Sequence, residues 1–195
     1  MSIARLKITL DNVKPAPVRR LEVPLGIKLS DLHHVIQAAM PWDNSHMYGF
    51  RVKNARWGIP MPELSFGDDP LDARKTSLAD VIEQTGTKII TYLYDFGDDW
   101  YHTIKIEKII DPEADVAYPR LLDAKVRCPP EDCGGAWGYG DVLEAIADPE
   151  HERHDEMLEW HGDDDPSTVD LAELSAAVAK LAVRKTKAPR KPKAP

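Results

Sequence analysis

The segment Cys128–Tyr139, CPPEDCGGAWGY, concentrates residue types that do chemistry. Its two thiols, Cys128 and Cys133, are the only cysteines in the chain. Thiolates bind Zn²⁺ tightly, and imidazoles complete a tetrahedral set. His151 and His154 follow in a charged, helix-like run, and residues three apart share a helical face. Cys128, Cys133, His151 and His154 are therefore the candidate metal ligands, with zinc as the ion. The Cys-x4-Cys and His-x2-His spacing departs from the usual finger pattern. The competing reading is a glycine-rich turn with buried thiols. Gly134, Gly135, Gly138 and Gly140 precede a helix and could cradle a phosphate. However, no Lys-Ser/Thr follows them, and Glu131, Asp132 and Asp141 would repel an anion.

A second constellation is YDFGDDWYH, where Asp95, Asp98, Asp99 and His102 fall within eight residues. A carboxylate beside an imidazole can hold a divalent ion or orient a base. Asp95 and His102 are the catalytic candidates, and alternation places His102 on one face with Trp100, Ile104 and Ile106. The plainer reading makes Asp98 and Asp99 turn formers, with Tyr94, Phe96 and Trp100 in the core. His33, His46 and Trp100 are further pocket candidates. No Ser or Cys pairs convincingly with a His and an acid, and H-E-x-x-H is absent, so neither hydrolase triad nor zincin is supported.

These groups need elements to position them. Residues 3–10 and 18–24 read as a hairpin around the prolines of 12–17. Ser30 is expected to cap a helix over 29–40, with Leu32, Val35, Ile36 and Ala39 on its apolar face and Pro41 ending it. A strand at 46–53 follows. Residues 54–76 read as loop, broken by prolines, before a short helix at 77–84 capped by Ser77. Residues 88–95 and 100–109 form the clearest hairpin. The chain then reads as irregular to 121, with helices over 141–148, 150–161 and 168–183, the last capped by Ser167 or Thr168. Strand, strand, helix, strand predicts an α+β fold: a β-grasp-like mixed sheet with a packed helix, followed by a C-terminal helical segment. One domain spans 1–183, sheet-rich over 1–111 and helical over 128–183, with an acidic loop at 162–167.

The 195 residues, 43% hydrophobic and 30% charged, suit a single buried core. No apolar run reaches the ~18 residues of a membrane helix, and the first residues do not read as a signal peptide, so a cytoplasmic protein with no membrane partner is expected. The formal net charge of -8 hides an asymmetry. Arg184, Lys185, Lys187, Arg190, Lys191 and Lys193 make residues 184–195 a basic, disordered tail by composition. An acidic body repels phosphates, so nucleic acid is expected only through that tail.

Several blocks together resemble the plasmid pRiA4b Orf-3-like family, from about residue 3 to 172. They are Arg19-Arg20 with Val23-Pro24; LSDLHHVIQAAMPW followed by His46 and Phe50; YLYDFGDDWYHTIKIE; CPPEDCGGAWGY; and DPEHERHDEMLEWHG with Asp165-Pro166 and Asp170. Val18, Pro41 and Val169 depart from the family's usual Trp, Gly and Phe, changes of packing rather than of polar chemistry. The resemblance implies an α+β fold with a β-grasp-like sheet and carries no established reaction. Some members bear the label transposon passenger resolvase, a link to mobile elements, yet no serine-recombinase signature is present here.

The expectation is a binding or interaction module for a protein or small ligand, metal-stabilised, rather than an enzyme. The alternatives are a metal-dependent enzyme acting on nucleic acid or a small phosphorylated molecule, and a DNA-associated accessory protein gripping phosphate with its tail.

Overall fold

The first hairpin forms where alternation placed it. β1 (Ile3–Leu10) pairs antiparallel with β2 (Val18–Pro24), Leu6 opposite Leu21. α1 (Leu29–Ala39) follows, then β3 (Tyr48–Val52), β4 (Ala55–Gly58), β5 (Leu71–Asp72) and α2 (Leu78–Thr85). β6 (Ile89–Tyr94) and β7 (Trp100–Ile110) form the second hairpin. β8 (Arg120–Lys125), α3 (Gly135–Ala147), α4 (His154–His161) and α5 (Leu171–Lys180) complete the chain. This computed structural model describes residues 1–63, 69–161 and 168–182. The acidic loop at 162–167 and the basic tail at 184–195 lie outside the described residues.

The fold is α+β. Eight strands form one sheet in the order β5-β4-β3-β6-β7-β1-β2-β8. It is mixed, because β5 runs parallel to β4 while the other neighbours are antiparallel. Alternate residues of the long strands are buried, among them Leu6, Ile8, Tyr92, Tyr94, Trp100, Ile104 and Ile106. α1, α2, α3 and α5 add their apolar stripes to this same core, and α4 packs on α3 through Met157, Val142 and Ala145. The strand residues between the buried ones form the opposite face, which is half-buried to exposed.

Several expectations change in detail. Ser30 does not cap α1; the N-cap is Lys28, and the first-turn N–H groups of Leu29 and Ser30 reach the carbonyls of Thr76 and Ala73 instead. Backbone from the 73–76 segment thus satisfies what a side chain would otherwise cap. Ser77 does cap α2, in a capping box with Asp80. The 54–76 stretch holds β4 and β5, and β8 lies within the stretch read as irregular. Asp170, not Ser167 or Thr168, caps α5. α3 begins at Gly135, well before Gly140. Phe96 is 55% exposed on the β6–β7 turn instead of packing in the core. No described helix is long and apolar enough to cross a membrane.

Candidate metal centre

β3 and β6 bring two site residues to one end of the sheet. Tyr48 stands opposite Tyr94, and the ladder closes with Asp95 N–H donating to Met47 O at 2.9 Å. His46, just before β3, and Asp95, just after β6, therefore emerge side by side. Asp95 adopts φ +55 and accepts the Gly97 N–H through Oδ1 at 2.8 Å, the local bond that lets aspartate hold a left-handed turn.

The third residue comes from the cysteine loop, which is bound to the same end. Trp42 Nε1 donates to Pro129 O at 2.9 Å. Glu131 accepts the Tyr94 hydroxyl through Oε1 and the Asp43 N–H through Oε2, the latter at 2.7 Å. Gly134 N–H donates to Asp98 Oδ2 at 3.1 Å. The glycines permit this approach. A Cβ on Gly135 would stand 2.2 Å from Asp98 O, and one on Gly138 1.9 Å from Cys133 O. With the loop fixed, Asp132 reaches His46.

His46 Nε2 lies 3.1 Å from Asp132 Oδ1, and Nδ1 lies 3.6 Å from Asp95 Oδ2. One donor atom from each of His46, Asp95 and Asp132 falls within 4.8 Å of the others, the only such group among the described residues. Nε2 is buried and makes no hydrogen bond, although Asp132 Oδ1 is close. The two carboxylates flank the imidazole, Asp132 beside Nε2 and Asp95 beside Nδ1, close enough together for one ion to bridge a ring nitrogen and both acids. The set is one nitrogen and two oxygens, suited to zinc, manganese or ferrous iron rather than to a thiolate-seeking ion. Asp95 is nearly buried, while the Asp132 side chain is 74% exposed, so the site opens toward solvent. Tyr94 lines it; burial, then the adjacent Glu131, pushes its phenol up to about 12.

Cys128, Cys133, His151 and His154 do not converge; none belongs to that group. Cys128 is buried against Arg19 and Met40. Cys133 leans toward Gly135 O at 3.9 Å. Burial pushes the Cys128 thiol up to about 11; burial and then Asp98 push Cys133 up to about 12, far from the thiolate form that metals take. His151 Nδ1 accepts the Arg153 N–H at 3.1 Å, and His154 Nδ1 donates to Ala145 O at 2.9 Å. Both imidazoles are thereby fixed within the α3–α4 connection.

The catalytic candidates part company. Asp95 is in the cluster, whereas His102 is wholly buried, with Nδ1 donating to Trp100 O at 2.9 Å. Burial pulls His102 down to about 4, so it is neutral and has no path to a substrate. Trp100 packs beside Trp42 in the core, not in a pocket. His33 is buried too; it bonds Tyr92 OH at 2.7 Å and Asn44 Oδ1 and stacks on Tyr48 at 3.7 Å. Of the pocket candidates, His46 alone reaches the site. Asp132 is visible in sequence only as an acid in a glycine-rich turn, and its neighbour Glu131 likewise.

An α+β domain with a solvent-facing N,O,O cluster at one end of its sheet is thus the class that fold and site define. Residues 2–173 match the plasmid pRiA4b ORF-3-like protein family, and the chain belongs to it. An uncharacterized protein, y4hQ of Sinorhizobium fredii, is 50% identical over 185 residues, covering 94% of each chain. The crystal structure of a protein of unknown function, MM3350 from Methanosarcina mazei Go1, superposes with a TM-score of 0.79 at 33% identity, covering 88% of this chain and 97% of that one.

Proposed function

We propose that this chain is a divalent-cation-binding module whose ion sits between His46, Asp95 and Asp132. The observation that carries the reading is the buried, unbonded Nε2 of His46 beside Asp132 Oδ1 at 3.1 Å. The ion would join the cysteine loop to the β3–β6 end of the sheet, so the module is metal-stabilised. This reading moves the metal away from the cysteines and keeps the interaction-module character expected from sequence, in a cytoplasmic setting. The openness at Asp132 favours a second reading. Three protein ligands leave coordination positions for water or a substrate oxygen, as in a metal-dependent enzyme acting on a phosphorylated substrate.

The test is elemental analysis of untagged protein, followed by thermal melts of the metal-stripped chain with added zinc or manganese. Saturation at about a hundredfold over Kd contributes about 2.7 kcal/mol, or roughly 5–10 °C for a chain of this size. Asp95→Asn and His46→Ala should abolish both the bound metal and the shift. An equal shift in Asp95→Asn, or neither metal nor shift in the wild type, rejects the site.

A further inference from the structure

The sheet face opposite the helices carries charge that the fold leaves uncompensated. Lys105 on β7 stands directly opposite Lys7 on β1, and Lys7 directly opposite Arg20 on β2. Three cations thus line up across adjacent strands, ~4.8 Å apart at the backbone. Like charges facing each other destabilise a sheet. Arg20 is relieved by Glu107 at 3.4 Å and Asp123 at 3.1 Å. Lys7 and Lys105 make no ion pair among the described residues. In a chain of net charge -8, this strip is not the background of a basic protein.

The neighbouring rows extend the pattern. Arg51 faces Thr91, Thr91 faces Thr103, and Thr103 faces Thr9, a line of surface hydroxyls between β3 and β1. Thr103 donates to Asp11, the carboxylate at that rim. One row further, Tyr101 is 39% exposed opposite Leu93, and Phe96 projects from the turn over Gly49. They border a groove of about 450 Å³. Tyr101, Thr103 and Lys105 follow one another on the same face of β7, so the aromatic and cationic ends lie roughly 13 Å apart.

We propose that this face binds single-stranded nucleic acid, with bases stacked on Tyr101 and Phe96 and phosphates over Lys105 and Lys7. Positive charge tracks a backbone, and exposed aromatic rings accept any base face. A duplex hides its base faces from the rings, and an acidic polypeptide would use the lysines while leaving the aromatic groove idle. The binding surface is thus in the folded body, in contrast to the sequence expectation that only the tail meets nucleic acid.

The experiment is fluorescence anisotropy of a labelled oligothymidine with the full chain, titrated across salt, for wild type, Lys7→Glu and Tyr101→Ala. Lys7→Glu pairs with Lys105 and removes two phosphate contacts together, so its melting temperature is expected at or above wild type. Its affinity should fall roughly 10- to 100-fold at low salt, and the slope of log affinity against log salt by about 1.4. Tyr101→Ala should weaken binding roughly 5- to 150-fold. Absence of salt-dependent binding in the wild type overturns the proposal. So does unchanged affinity in Lys7→Glu, which assigns binding to the cations of residues 184–195. Displacement by polyglutamate, with Tyr101→Ala binding as wild type, overturns it in favour of an acidic polypeptide.

Discussion

Arg19 holds Cys128: its Nη2 donates to the sulfur at 3.1 Å, with both side chains buried. The same guanidinium donates to the carbonyls of Ala39 at the end of α1, of Val18 in β2, of Lys125 at the end of β8 and of Val126 just after it. A buried charge persists only where its donors are met. Arg19 therefore ties the helix, the sheet edge and the start of the cysteine loop into one polar joint. Cys128 is a structural acceptor in that joint.

Cys128→Ala removes the acceptor and leaves part of a buried guanidinium unmet, at a cost of roughly 1–3 kcal/mol. Bound metal should be unchanged, because the proposed ligands are His46 and Asp95 at the end of the sheet and Asp132 in the loop, not the thiol. Denaturant unfolding and elemental analysis on the same preparation check both halves. Loss of metal with unchanged stability would return the ion to the cysteines.

Gly135→Ala tests why the loop is rich in glycine. Gly135 has φ +69, and a Cβ there would stand 2.2 Å from Asp98 O, a backbone atom with no room to yield. The left-handed conformation and the overlap together should cost roughly 2–5 kcal/mol. Gly140, a helical position where a Cβ meets nothing within 4 Å, is the internal control, and Gly140→Ala should be stabilising by about 0.4–1 kcal/mol. Equal melting temperatures for the two variants would contradict the docking of α3 on the hairpin turn.

The strands Ile3–Leu10 and Trp100–Ile110 are legible from imperfect but β-compatible patterning, because one of their faces is largely core and the other is not. β4, β5 and β8 are not. β5 is two residues long, β4 lies beside prolines, and β8 is an edge strand with only Leu121 buried. The glycines around the start of α3 read as a tight turn, whereas one of them, Gly135, is demanded by a neighbour remote in sequence, Asp98. The site was half legible for the same reason. His46 and Asp95 stand at the ends of recognisable strands. Their meeting with Asp132 depends on Tyr94, Trp42 and Asp98 docking a loop, contacts between residues far apart in the chain that no local spacing encodes.

Glu131 pins the loop next to Asp132, accepting the Tyr94 OH on one oxygen and the Asp43 N–H on the other. Partners that orient ligands are commonly worth 10- to 100-fold in metal affinity. Glu131→Ala should weaken divalent-ion binding by roughly that factor while His46, Asp95 and Asp132 remain in place. It should also lower the Tyr94 phenol from about 12, since burial and then Glu131 hold it there. Isothermal titration with metal and a spectroscopic phenol titration read the two effects separately. A merely structural role would change melting and move the phenol while leaving metal affinity unchanged.

The buried imidazoles set the response to acid. Burial pulls His33 and His102 down to about 4 from an ordinary 6.5. Between those values the unfolded chain binds a proton at each site and the folded chain does not. Stability therefore falls as pH drops from about 6.5 to about 4, and is fully present above that window. Each shift corresponds to roughly 2–4 kcal/mol at the acid end, at about 1.4 kcal/mol per pH unit. His102→Phe keeps a ring against Trp42 and Tyr92 and removes one titrating group. Its stability at neutral pH should drop, from the lost bond to Trp100 O, while its dependence on pH between about 4 and 6.5 flattens by close to half. Urea unfolding at a series of pH values measures the slope. An unaltered slope would show that His102 titrates normally in the folded protein and that its burial is not what the packing of β6, β7 and Trp42 implies.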